Sequence, residues 1–126
     1  MDLSENRLQH PNLITSAQAH QCIINAQVHQ QSLIIPSHQA IKPVAVTAVT
    51  DLTESLMAEL CDYQPEVVLL ATGADIVFPA TDILQPLVQQ NIGLEVLHNQ
   101  AAARTFNVLL SESRQAVCLM LIEGER

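Results

Sequence analysis

The stretch Asn91–Glu112 constrains the fold more than any other part of the chain. Leu94–Leu97 is a short apolar run entered through Gly93 and left through the polar pair His98–Asn99. The Asn99 side chain can accept the free amide hydrogens that open a helix, so it is the expected N-cap. Ala101, Ala102 and Ala103 follow, then Phe106, Leu109 and Leu110 at the spacing of one buried helical face. The segment therefore reads as strand, tight polar turn and helix, with Arg104 early in the helix.

The same alternation recurs upstream. Asp51 or Thr53 caps a helix lined by Leu52, Leu56, Met57 and Leu60, and Pro65 closes the connection. Val67–Ala71 is continuously apolar, as expected of a strand covered on both faces, and Thr72–Gly73 ends it. Pro79 and Thr81–Asp82 open a second helix carrying Ile83, Leu84, Leu87 and Val88, where Pro86 falls within about a turn of the start. Val117–Ile122 supplies a last buried strand. Strands alternating with helices predict an α/β fold: a three-layer α/β/α arrangement with a mixed, largely parallel central sheet and right-handed crossovers.

Leu13 to Val46 has a different texture. Extended runs at Leu13–Ala19, Cys22–Ile24, Val28–Ile35 and Ile41–Val46 predict an N-terminal antiparallel β-hairpin extension. Asn25–Ala26 is its expected tight turn, and Pro36 and Pro43 belong at strand ends or edges. Residues 1–10 are polar and predict a loose N-terminal segment, followed by one α/β domain over residues 11–126.

Charge and composition exclude several function classes. Thirteen acids face five bases, for a net charge of −8. Arg7, Lys42, Arg104, Arg114 and Arg126 assemble no basic stripe, which argues against nucleic acid and against anionic lipid. Tyr63, Phe78 and Phe106 are too few for a base-stacking platform. No apolar run approaches the roughly 20 residues of a membrane helix, and the start MDLSENRLQHP has neither part of a signal peptide. A cytoplasmic protein without direct membrane insertion is expected. Cys22, Cys61 and Cys118 form no close pair and read as reduced core thiols.

Leu69–Pro79 (LLATGADIVFP) and Gly93–Glu112 (GLEVLHNQAAARTFNVLLSE) resemble the small α/β domain of the respiratory complex I assembly factor three family. The likeness runs from about Leu13 to Ile122, and Ala101–Leu109 (AAARTFNVL) is its most specific piece. Ala71 stands where family members usually have glycine, Phe106 where they have tyrosine, and His98–Asn99 where they have Asp-Thr. The resemblance implies a three-layer fold with a mixed central sheet. For eukaryotic relatives it implies a non-enzymatic part in assembling a membrane complex. It carries over no catalytic residue.

Ligands of parallel α/β sheets collect beyond the carboxyl ends of the strands. There the chain offers Thr72, Gly73 and Asp75 after one strand, and His98, Asn99 and Arg104 after another. Arg104 and the free helix amides would hold a carboxylate or phosphate. Alternatively Arg104 pairs with Glu95 or Asp75 and braces the turn, the reading favoured here because buried arginines are usually paired. Thr72–Gly73 lacks the further glycines or the Lys-Ser/Thr of a phosphate loop. His20, His29 and His38 recur every nine residues, with no familiar ligand separation, so no metal is expected. None of the cysteines has the basic, partly exposed setting of a nucleophile.

No catalytic residue and no cofactor are therefore expected. The chain is only 14% charged yet 48% hydrophobic, against the ~25% charged residues of typical domains. An exposed apolar patch is expected to bind a protein, either a second copy in a homodimer or a heterologous partner. The competing expectation is a domain, or minor enzyme, that binds an anionic metabolite in the strand-end crevice.

Overall fold

The computed structural model describes residues 10–123. The segment expected over residues 1–10 lies, apart from His10, outside them.

The N-terminal strands β1 (Ile14–Ala17), β2 (Cys22–Ile24) and β3 (Gln27–His29) form an antiparallel sheet of their own. Asn25 and Ala26 join β2 to β3 with φ of 49° and 69°, the positive pair of a tight hairpin turn whose twist suits its strands. Asn25 also ties the turn down, its Oδ1 accepting from the Leu13 amide at 3.1 Å and its Nδ2 donating to the Pro11 carbonyl at 3.2 Å.

β4 (Leu33–Pro36), β5 (Lys42–Pro43), β6 (Val67–Ala71), β7 (Gly93–Leu97) and β8 (Ala116–Met120) build the second sheet, in the order β5-β4-β8-β6-β7. β6 pairs in parallel with β7 and β8, whereas β4 is antiparallel to both β8 and β5. The sheet is thus evenly mixed rather than largely parallel. A parallel neighbour needs a crossover of a dozen residues or more, and the short link from β4 to β5 provides none. The expected extension of this sheet is instead a separate three-stranded one. The predicted run Val28–Ile35 is divided between the two sheets, and Ile41–Val46 shrinks to Lys42–Pro43 on the edge. Pro43 cannot donate to a ladder, so an edge is where it fits.

Helix α1 (Glu54–Cys61) is capped by Thr53, whose Oγ1 accepts from the Leu56 amide at 3.1 Å. A 3₁₀ turn over Thr81–Leu84 leads into α2 (Gln85–Gln89), which tolerates Pro86 because its missing amide falls in the first turn. Helix α3 (Asn99–Ser111) follows β7 directly.

Strand alternation divides the apolar side chains between two cores. Ile34, Val68, Leu70, Val117 and Leu119 pack with Met57 and Leu60 of α1 and Leu87 of α2. Leu33, Ile35, Leu69, Cys118 and Met120 pack with Ala102, Phe106 and Leu109 of α3 and with Ile14, Cys22 and Ile24 of the first sheet. Because both faces of the central strands are covered, β6 and β8 are buried along their whole length. Phe106 is fully buried, a contribution of about 2–3 kcal/mol from the side chain's removal from water.

Candidate functional site

β6 and β7 are parallel neighbours, so the turns that leave their carboxyl ends meet. At the β6 exit, the Thr72 amide donates to the Leu97 carbonyl at 3.0 Å. The Thr72 hydroxyl donates to the Asp75 carbonyl at 2.5 Å and accepts from the Val77 amide at 3.1 Å. Gly73 adopts φ +98°, and a Cβ there would meet nothing within 4 Å. Glycine is therefore required by backbone conformation and not by crowding.

At the β7 exit, the expected cap moves by one residue. His98 is the N-cap, its Nδ1 accepting from the Ala101 amide at 3.2 Å. Asn99 is the first helical residue and is buried. Its Oδ1 accepts from the Gly73 amide at 2.8 Å, and its Nδ2 donates to the carbonyls of Gln18 and Leu121, each at 3.0 Å. Its backbone amide donates to the Gly73 carbonyl at 2.8 Å. Asn99 thus serves as a structural bridge among three chain segments, which removes it from the pool of free ligand-binding groups.

The six predicted site residues do not line one crevice. Gly73, His98 and Asn99 share a cleft of about 300 Å³ with Ala17, Gln18 and Gln100. Arg104 lies one turn further along α3, in an adjoining groove beside β1 and Gln18, and Ala17, Gln18 and Gln100 are common to both. Thr72 opens on another side, facing Thr47–Thr50 and Val77. Asp75 stands exposed on the loop after β6.

The expected bracing role of Arg104 is overturned. Arg104 is exposed, and among the described residues neither Glu95 nor Asp75 pairs with it. The helical period turns it away from the buried face of Ala102, Phe106 and Leu109, onto the flank beside β1. Glu95 lies on β7, at the sheet edge.

Two features escaped the reading of the sequence. Asn107 bridges α3 to β1, donating to the Ile14 carbonyl at 2.7 Å and accepting from the Ile14 amide at 3.1 Å. The loop residues Ile76, Val77 and Phe78 are 48%, 47% and 75% exposed. A signal for the loop was present: three large apolar residues between Asp75 and Pro79 that fit neither helix nor strand.

The thiols offer no nucleophile. Cys22, Cys61 and Cys118 are free and buried. Burial pushes the Cys22 thiol up to about 11 and raises those of Cys61 and Cys118. Among the described residues no group of three or more His, Cys, Asp or Glu side chains is placed to hold a metal ion.

A mixed five-stranded sheet flanked by helices, with an antiparallel three-stranded sheet beside it, defines a small α/β protein whose strand-end turns are locked by the Asn99 side chain and by backbone hydrogen bonds. The chain belongs to the family described as proteins of unknown function DUF498/DUF598, whose model matches residues 14–122. A Xanthomonas campestris protein solved by NMR is 32% identical with a TM-score of 0.82, covering 100% of this chain and 96% of its own. A Bordetella pertussis protein described as a Mth938-like domain shares the fold at TM-score 0.79 and 23% identity, covering 99% of this chain and 94% of its own. The "13 kDa major membrane protein" of Francisella tularensis subsp. holarctica is 20% identical over 122 residues, 96% of this chain and 99% of that protein.

Proposed function

We propose that this protein is a non-enzymatic interaction domain, an accessory to the assembly of a larger complex, that docks a partner protein on the loop Ile76–Phe78. The observation that carries this reading is the run of three consecutive large apolar side chains in solvent. Isolated exposed hydrophobics are ordinary, whereas contiguous ones mark contact surfaces. The loop is tied at both ends, by the hydroxyl of Thr72 and by buried Pro79, so it presents these side chains in a fixed place. Fixed anchors lose less conformational entropy on binding.

The resemblance to the complex I assembly factor three family supports an assembly role, and the name of the Francisella relative suggests a partner at a membrane. No helix among the described residues is long and apolar enough to cross one. In this reading the protein works from the cytoplasmic side, as one domain, with a heterologous partner in preference to a homodimer. The test is affinity capture of tagged full-length protein from native lysate, with Phe78→Ser in parallel. A protein retained at stoichiometric amount by the parent and lost by the variant supports the reading. Equal retention by both sinks it.

Exposed Arg104 in its groove favours a second reading, capture of an anionic metabolite. A thermal-shift screen of dicarboxylates and phosphates tests it, with any stabilisation abolished in Arg104→Ala.

A further inference from the structure

The geometry points to the outer edge of β7 as the place where an extended, basic segment of a partner protein adds a strand to the sheet. This rests on the interaction reading above and names how that partner is held.

β7 ends the sheet, and among the described residues no strand pairs with its outer side. Its inward groups are identified by their partners: the Gly93 amide donates to the Glu66 carbonyl at 3.1 Å, and the Leu97 carbonyl accepts from Thr72 at 3.0 Å. In a parallel pair the amide and carbonyl of one residue point to the same side, and the side alternates along the strand. Glu95 therefore also faces β6. The amides and carbonyls of Leu94 and Val96 turn outward, giving two donors and two acceptors in the spacing of a ladder. No proline interrupts the strand.

The side chains specify the occupant. Leu94 and Val96 are half-buried against the core below α1 and α2, and Val88 of α2 is exposed. Residues of an added strand opposite Leu94 and Val96 would extend that apolar layer. Glu95 points to the other face, exposed and, among the described residues, without an ion pair. Between Lys42 and Arg104 the chain runs 61 residues without a lysine or arginine, and eight of them are Asp or Glu. That span contains α1, α2 and β7, so it supplies no cation of its own to the edge. A lysine or arginine from the partner, opposite Glu95, completes a cross-strand pair. A second copy fits less well, because antiparallel β7–β7 pairing with all five residues overlapped sets Glu95 against Glu95, like charges directly opposed.

The test uses the isotope-labelled full chain and two capped pentapeptides, Val-Lys-Val-Lys-Val and its counterpart with glutamate for lysine. The expected result is that the lysine peptide binds at least tenfold more tightly and slows exchange of the Leu94 and Val96 amide hydrogens at least fivefold. Glu95→Lys, at an exposed position, is expected to keep the parent's amide spectrum and to reverse the peptide preference. Unchanged exchange at Leu94 and Val96, or a preference that survives Glu95→Lys, overturns the inference. Where Phe78→Ser loses a captured partner but those two amides exchange as fast in the complex as in the free protein, strand addition fails while the interaction reading stands. Capture that is indifferent to Phe78→Ser, with Leu94 and Val96 protected, leaves strand addition standing and removes the loop from the interface.

Discussion

Asn99 and Gly73 hold each other by two reciprocal hydrogen bonds of 2.8 Å, the Gly73 amide donating to the Asn99 side-chain oxygen and the Asn99 amide donating to the Gly73 carbonyl. With Nδ2 shared between Gln18 and Leu121, every polar group of the buried Asn99 side chain is satisfied. One side chain thereby fastens the start of α3 to the exit of β6, to the loop after β1 and to the residue following β8.

Asn99→Ala is expected to destabilise the protein by about 3 kcal/mol, since it leaves the buried Gly73 amide and two carbonyls without this partner. Asn99→Asp is expected to be at least as damaging, because it removes both donors and adds a carboxylate beside two carbonyl oxygens. Urea denaturation monitored by circular dichroism measures both; a loss below ~1 kcal/mol for the alanine variant would contradict the bridge.

Arg104→Ala is expected to change stability by less than ~0.5 kcal/mol, the range of surface substitutions that break no specific contact. This reverses the sequence-based expectation of a bracing ion pair. Superimposable urea melts check it, and a clear loss of stability would mean that Arg104 has a structural partner after all.

Phe78→Ser and Ile76→Ser are expected to leave stability within ~0.5 kcal/mol of the parent, because Phe78 is mostly in water and Ile76 is about half exposed. Thermal melts of the two variants decide this. Strong destabilisation would make the loop a packing element and would explain its apolar run without a partner.

Alkali is expected to weaken the fold through its thiols. The Cys22 pKa rises from 9.0 to about 11 on folding, and burial raises Cys118 as well. The unfolded chain therefore releases these protons first. The stability they contribute is fully present below pH 9.0 and is lost as pH climbs toward about 11. Stability measured between pH 8 and pH 10 should fall in the upper half of that range, and Cys22→Ala should make the decline shallower.

Local rules were legible wherever the deciding partner is near in sequence. The cap at Thr53 reaches only to Leu56, and the Asn25–Ala26 turn needs only two residues that accept positive φ. The continuous apolar run of β6 announced a strand covered on both faces, and Val117–Ile122 announced a buried last strand, found one to two residues earlier as Ala116–Met120. The site was less legible. His98 took the capping role expected of Asn99, because both have acceptors at the right place and the tie to Gly73 drew Asn99 inward.

The sequence by itself determined the alternation of strand and helix, the two-sided core and the acidic, cation-poor character of the chain. Hydrophobic periodicity and charge are local properties and survive without a partner. Only the tertiary structure decided the sheet order, the separate three-stranded sheet, the exposure of Arg104 and the bridging role of Asn99. Asn99 finds its partners 26, 81 and 22 residues away. Contacts at that separation exist only once the chain has folded, and it is they that turn one asparagine inward.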